Sequence, residues 1–502
     1  MLTLRRSLAL LFSSLAALSV LAQTVPTEAG VEKISLDDAI QRALAKNFAI
    51  KVEGFDAAIA SARVTEALGK FDPVLNASYN SAVNESPNLI DAGTGLRPPA
   101  TYAKSETYDV GVGGVLPWGM TYQLGGTRTN NQGTLYSYAD NFSTFAGVSG
   151  TQPLLRNFGF GATLASIRIA QANRGISEWQ FRQAVIDTIT NVSIAYNELT
   201  FAYAIQRSAL RSRELAAQLL DENEKRFKVG NVSEYDVTSA RSRMANREEG
   251  ILFAEQAVRE TENALKQLIT DDKTPALLSR HLAIEPPPTA PIVVVDPAAD
   301  FHVALEKRPD YQQAKLGLRR DSLNARLQRN QLLPRVDLVG SYGYSGLDSN
   351  STVARRQVTN EDYHSYSWGV VVSVPLTFTT ERGRYRAAMM QQRQAETQLE
   401  RVEQDIVVRV GNAASQIETA QKRIQATRRA RELAQSTLDS EVKRLRAGQS
   451  STFFVAQQQE IVSGLEVSES RAQVDYRNAL ANYDRQLGVT LEKLNVNIQP
   501  PK

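Results

Sequence analysis

Cysteine is absent from the 502-residue chain, and histidine occurs only three times. The first absence excludes thiol catalysis, zinc-thiolate sites and disulfides. The second leaves His281, His302 and His364, too far apart in sequence to place two ligands on one helix face. Surface histidines are therefore a plainer reading than a metal site or a catalytic triad. Neither sign of charge is in excess, since 57 basic against 54 acidic residues leave a net +3, which makes no case for nucleic acid. The charges alternate along the chain, as they do on solvated helix faces. No carboxylate pair, nucleophile set or phosphate loop stands at informative spacing, so neither an enzyme nor a cofactor is implied. Catalysis stays open only as a glycan hydrolase with two distant carboxylates.

Long apolar runs are scarce too. Arg5 and Arg6 form a basic start, Leu8 to Leu21 an apolar core, and Ala22 a small residue before Gln23. This is the pattern of a secretory signal peptide over residues 1–22, with the exported chain beginning near Gln23. No cysteine follows to take a lipid anchor. Beyond it nothing approaches the about 18 apolar residues of a spanning helix, so any membrane crossing must be made by strands.

What is present is a duplication. Ala43-Leu44, Lys46 and Pro73 match Ala304-Leu305, Lys307 and Pro334 at an offset of 261. Arg213-Glu214-Leu215-Ala216 matches Arg431-Glu432-Leu433-Ala434 at 218, and the same offset pairs Lys225-Arg226 and Gly230 with Lys443-Arg444 and Gly448. Each half thus reads as helix, strands, very long helix, turn, helix. The offsets differ by 43; from Pro73 to Pro153 is 80 residues and from Pro334 to Pro375 only 41, so 39 extra residues lie among the first copy's strands. That is enough for one additional hairpin.

The strands alternate. Leu75, Ala77 and Tyr79 oppose Asn76, Ser78 and Asn80; Val336, Leu338, Tyr342 and Tyr344 oppose Asp337, Ser341 and Gly343. Tyr366, Trp368, Val370, Val372 and Val374 oppose Ser365, Ser367, Gly369 and Ser373. The extra segments Tyr108-Val110-Val112 and Met120-Tyr122-Leu124 flank a Pro117-Trp118-Gly119 turn. One face suits lipid and the other a wet lumen; a soluble sheet with one dry face is the competing reading. Two or four strands per copy cannot close a barrel, and an open edge in lipid is costly, so strands must be pooled across subunits.

From about Ala162 to Lys228 only Gly175 interrupts a helix, and from about Arg384 to Ala447 only Gly411. Each run would reach about 100 Å at ~1.5 Å per residue. Val185, Ile189, Val192, Tyr196, Leu199 and Tyr203 step by four and three, as do Ile406, Val410, Ala413, Ile417, Ala420 and Ile424, a coiled-coil rhythm that reads as wall packing. Gly230 and Gly448 follow Lys-Arg in a last turn, where glycine takes the left-handed cap and the basic residues suit the helix dipole. The domain plan is residues 23–270 and 301–490 as repeats, the first with the extra hairpin. Residues 271–300 form a proline-rich connector in which Ile292–Val295 could pair as a short strand, and 491–502 form a polar tail.

Ile34-Ser35-Leu36 through Ala43-Leu44, the Leu332-Leu333-Pro334 approach to a strand, and Lys225-Arg226-Phe227 to Gly230, in this order and duplicated, resemble the TolC-like outer-membrane efflux and export family over about residues 34–490. The resemblance implies an α+β membrane protein: a homotrimer whose strands pool into one transmembrane β-barrel in outer-membrane lipid, continued by a periplasmic α-helical tunnel. It implies an exit duct for a tripartite efflux pump or a type I secretion system, joined to an inner-membrane transporter by a periplasmic adaptor. It also places an aperture at the helix turns, where members hold aspartates and tyrosines; here these are Glu234, Tyr235 and Asp236. The second turn departs from the pattern with Phe453, Phe454 and Gln457. Those phenylalanines either form a threefold constriction or pack inside their hairpin. Gly230 and Gly448 mark turns where an adaptor could dock. The rival class is an exported coiled-coil adhesion protein without a channel; an adaptor would have one helical hairpin, not two.

Overall fold

The computed structural model describes residues 32–285, 288 and 290–499; the expected signal peptide lies outside them. Strand β1 (Glu32–Ile34) leads into α1 (Leu36–Lys46) and α2 (Phe48–Leu68). Ser35 and Asp38 close a capping box on α1, and Asn47 breaks the helix in an extended conformation while accepting the Ala49 N–H at 2.8 Å. Four strands follow: β2 (Val74–Ser86), β3 (Thr101–Val115), β4 (Thr121–Gly133) and β5 (Asn141–Pro153). One turn of helix, α3 (Gly159–Thr163), precedes α4 (Ala165–Lys228) and α5 (Glu234–Ile269). The second half runs β6 (Leu282–Ile284), α6 (Pro297–Lys307), α7 (Pro309–Asn330), β7 (Arg335–Asp348), α8 (Ser351–Thr359), β8 (His364–Ser373), α9 (Thr379–Arg446), α10 (Thr452–Leu487) and α11 (Thr490–Lys493). With 64 and 68 residues, α4 and α9 each extend about 100 Å at ~1.5 Å per residue.

Four expectations are corrected. The single opening helix of each half is two helices, of 11 and 21 residues in the first copy and 11 and 22 in the second. Pro309 explains the second break, because a residue before proline is pushed out of the α region and Arg308 is extended. The short strand of the connector is Leu282–Ile284, parallel to β1, and not Ile292–Val295. That run hands its backbone to side chains: Val293 N–H donates to the Tyr476 hydroxyl at 3.3 Å, and its carbonyl accepts from Gln421 at 2.8 Å. Helix α6 also begins inside the span read as connector, and the end of the chain is not simply polar. Leu491 is buried, and Val496 and Ile498 pack on the same core.

The stripe on α4 is the centre of one core and that on α9 of the other. Val185, Ile189, Val192, Tyr196 and Leu199 are buried with Ile34, Ile40 and Leu265; Ile406, Val410, Ala413 and Ile417 are buried with Ala304, Tyr476 and Tyr483. Gly175 sits where α4 meets α7, and a β-carbon there would come within 3.0 Å of Leu316. Toward the strands the helices pack in the order α2, α4, α7, α9; toward the turns the order is α5, α4, α10, α9.

All six long strands form one antiparallel sheet in the order β2-β3-β4-β5-β7-β8. The hairpin β3–β4 is an inner part of that sheet, paired along its length on both sides. Its turn is held by the Gly119 N–H on the Leu116 carbonyl at 2.8 Å, with Gly119 at φ +98.

Candidate functional site

Two places concentrate exposed, chemically distinctive residues: the sheet and the turns of the long hairpins. Across the sheet the register aligns Leu75, Val112, Leu124, Val148, Tyr342 and Tyr366 in one row. Because side chains alternate, this row and its period-two neighbours share a face. The opposite face carries the row Asn76, Gly111, Gly125, Gly147, Gly343 and Ser365. Thr127 donates to Asp109 at 2.6 Å, and Thr107 meets Thr129 at 3.3 Å, both on that face. Near the helices one side is therefore apolar and aromatic and the other small and hydrogen-bonding across all six strands, whereas toward the free ends of β3 and β4 the apolar side gives way to Lys104, Glu106, Arg128 and Asn130. Both outer strands are bare. Every residue of β2 and all but Gly369 of β8 is exposed, with Leu75, Tyr79, Tyr366 and Trp368 among them.

At the far end the two turns have the same backbone. Gly230 (φ +77) donates to Phe227 and Asn231 to Arg226, while Gly448 (φ +75) donates to Leu445 and Gln449 to Arg444. Each glycine ends its helix in a left-handed cap with both reciprocal bonds, after Lys225-Arg226 or Lys443-Arg444.

The turns differ in how the next helix starts. Ser233 and Asp236 form a full capping box, the Asp236 carboxylate accepting the Ser233 N–H at 2.9 Å and its hydroxyl at 2.6 Å. These bonds hold the Asp236 carboxyl below the usual carboxylate range. At the offset of 218, Ser451 stands for Ser233 and Phe454 for Asp236, and Ser451 makes no side-chain cap.

Between the hairpins lies a cleft of about 680 Å³ whose walls include Tyr235, Asp236, Arg243, Phe453, Gln457 and Asn223. It brings together four of the residues singled out in the sequence. Glu234 and Phe454 are exposed outside it. Phe453 is half exposed, its ring 5.6 Å from that of Phe454 and 5.2 Å from the Arg243 guanidinium. Phe453 thus packs partly within its hairpin and partly against the other.

Sequence reasoning missed Arg243, Arg247 and Asn223. Arg247 pairs with Glu460 at 3.3 Å, and Asn223, which lines the cleft, is buried with its side-chain oxygen unpartnered. Arg243 stands two helical turns beyond Tyr235, a spacing that could have placed it on the same face. Nothing local marks Asn223. Among the described residues no group of three or more acidic, histidine or cysteine side chains could hold a metal.

A two-faced, open-edged sheet set on helices of this length is the arrangement that the chain shares with solved outer-membrane proteins. The chain belongs to the outer membrane efflux protein family, whose sequence model matches residues 119–270 and 301–489, one segment in each half. It is 25% identical over 276 residues to the outer membrane efflux protein BepC of Brucella suis, a stretch covering 54% of this chain and 57% of that protein. The chain therefore spans little more than half the length of that relative. The fold is similar to the outer membrane channel CmeC of Campylobacter jejuni (TM-score 0.65, 15% identity, 90% of this chain and 85% of that one) and to the outer membrane protein VceC of Vibrio cholerae (0.64, 16%, 90% and 96%). It is likewise similar to MtrE of Neisseria gonorrhoeae, whose structure is of an open state (0.62, 17%, 90% and 88%). This is a family of outer-membrane channels and not of enzymes.

Proposed function

We propose that three copies close into one duct, a barrel in the outer membrane continued by a helical tunnel into the periplasm. The duct would serve as the passive exit of a tripartite efflux pump or type I secretion system. The observation that carries this is that one copy is unfinished at both levels on its outer sides. The sheet ends on the bare strands β2 and β8, which carry no lysine and no proline within their spans, the usual protections of an edge. The helical layer above ends on α2 and α9, where Phe48, Val52, Phe55 and Ile59 form an exposed apolar stripe and Val407 and Val408 are exposed. A ring of copies would cover both.

Within that duct the repeats span 23–270 and 301–490 about a connector, after removal of residues 1–22. The turns at Gly230 and Gly448 are the candidate contacts for a periplasmic adaptor linking to an inner-membrane transporter. Tyr235, Phe453, Gln457 and their neighbours Glu234, Asp236 and Phe454 surround the candidate aperture. Purified protein in a planar bilayer should carry single-channel current, and Phe453→Ala should raise it. A protein that runs as a monomer and passes no current would end the duct reading; unchanged current in both Phe453→Ala and Phe454→Ala would end the aperture reading only.

A further inference from the structure

We infer that the hairpin β3–β4 is a wall element that makes the membrane section an 18-strand barrel, as wide as the helical tunnel it joins. The inference rests on the trimeric duct proposed above and adds its bore.

The argument begins with the register. Pro73 and Pro334 follow the equivalent helices α2 and α7, so they mark equivalent heights. Leu75, two residues beyond Pro73, aligns through Val112, Leu124 and Val148 with Tyr342, eight residues beyond Pro334. The row climbs six residues over four strand steps. At ~3.3 Å per residue and ~4.8 Å between strands this is a tilt of about 45°, within the range of closed barrels.

Six strands at that tilt occupy about 40 Å of circumference per copy. The four helices that meet them, in the order α2, α4, α7, α9, occupy about 32–40 Å at ~8–10 Å between axes. The two layers therefore match. Without β3 and β4 the sheet would occupy only about 27 Å, and the wall would narrow by a third where it enters the membrane.

The hairpin also has the faces of a wall. In the half nearer the helices Val110, Val112, Tyr122 and Leu124 continue the apolar side, which farther out carries Lys104, Glu106, Arg128 and Asn130, and Asp109, Thr107, Thr127 and Thr129 form the polar one. An even strand number leaves β2 and β8 antiparallel, so the edge of one copy can pair with the other edge of the next. Three copies then give a backbone diameter of about 39 Å, in the size class that leaves a water-filled channel. Cargo width would be limited at the helical tips and not in the membrane.

Cryo-electron microscopy of the full protein in lipid nanodiscs tests this by counting strands. Eighteen strands about 39 Å across are expected. A trimer of 12 strands with residues 101–133 folded outside would overturn the inference while leaving the duct intact, and a particle without a shared barrel would overturn both. The cysteine-free chain permits a second test with a water-soluble maleimide on Thr129→Cys and Val110→Cys proteins in membranes. At least tenfold faster labelling at position 129 is expected, whereas equal rates would mean that the hairpin lies in water on both sides.

Discussion

Single residues at the turns separate two copies that share a backbone. Gly230 and Gly448 both sit at positive φ, so Gly448→Ala should cost about 1 kcal/mol at its cap, read as faster amide exchange at the end of α9. Only the first turn keeps its reciprocal cap. Phe454→Asp should restore the Ser451 box and stabilise the start of α10 by about 0.5–1 kcal/mol, read as slower exchange of its first amides; no change would mean that Ser451 cannot adopt the cap geometry. The Asp236 box has a pH signature. Its carboxyl is depressed in the folded chain, so the stabilisation is present above the ordinary aspartate value near 4 and lost as pH falls through the lower folded value. Exchange at the start of α5 should quicken only in that acid range, and Asp236→Asn should remove the dependence.

Among the elements, the stripes on α4 and α9 were legible because a four-and-three spacing repeated over twenty residues has only one economical use, a packed helix face. The break at Asn47 was not legible, since the cap depends on a side chain choosing its own backbone two residues on. The β1–β6 pair was hidden for a different reason: its strands are about 250 residues apart, and three-residue strands carry no period. A buried ionic group braces this region. Glu262 accepts from Tyr203 at 2.7 Å and faces Lys266 and His281, each at 3.5 Å, while burial beside Glu262 pushes the Tyr203 hydroxyl up. Glu262→Gln leaves the buried Lys266 charge without its partner and should destabilise the helical body by about 3 kcal/mol, measured as a lowered unfolding midpoint by circular dichroism at 222 nm.

For the whole molecule, the exposed stripe on α2 is where assembly and folding come apart. Phe55 is 65% exposed in one copy, so Phe55→Asp should leave helix content unchanged yet prevent trimers, as read by native mass spectrometry. A stable trimer of that variant would place the subunit contact elsewhere. The hairpin β3–β4 sits at the same scale. The excess of residues was countable in the sequence, but whether they joined the sheet or projected from it was not, because alternation says which face is apolar and not which strand is the neighbour.

The sequence by itself determined the duplication, the long helices, the two-faced strands and the glycine turns, because each is written in local period or exact repetition. The order of the six strands, the strand at Leu282–Ile284 and the cleft joining Tyr235, Arg243, Asn223 and Phe453 came from the folded chain. Those features depend on contacts between segments far apart in sequence, whose energies arise only once the backbone has brought them together.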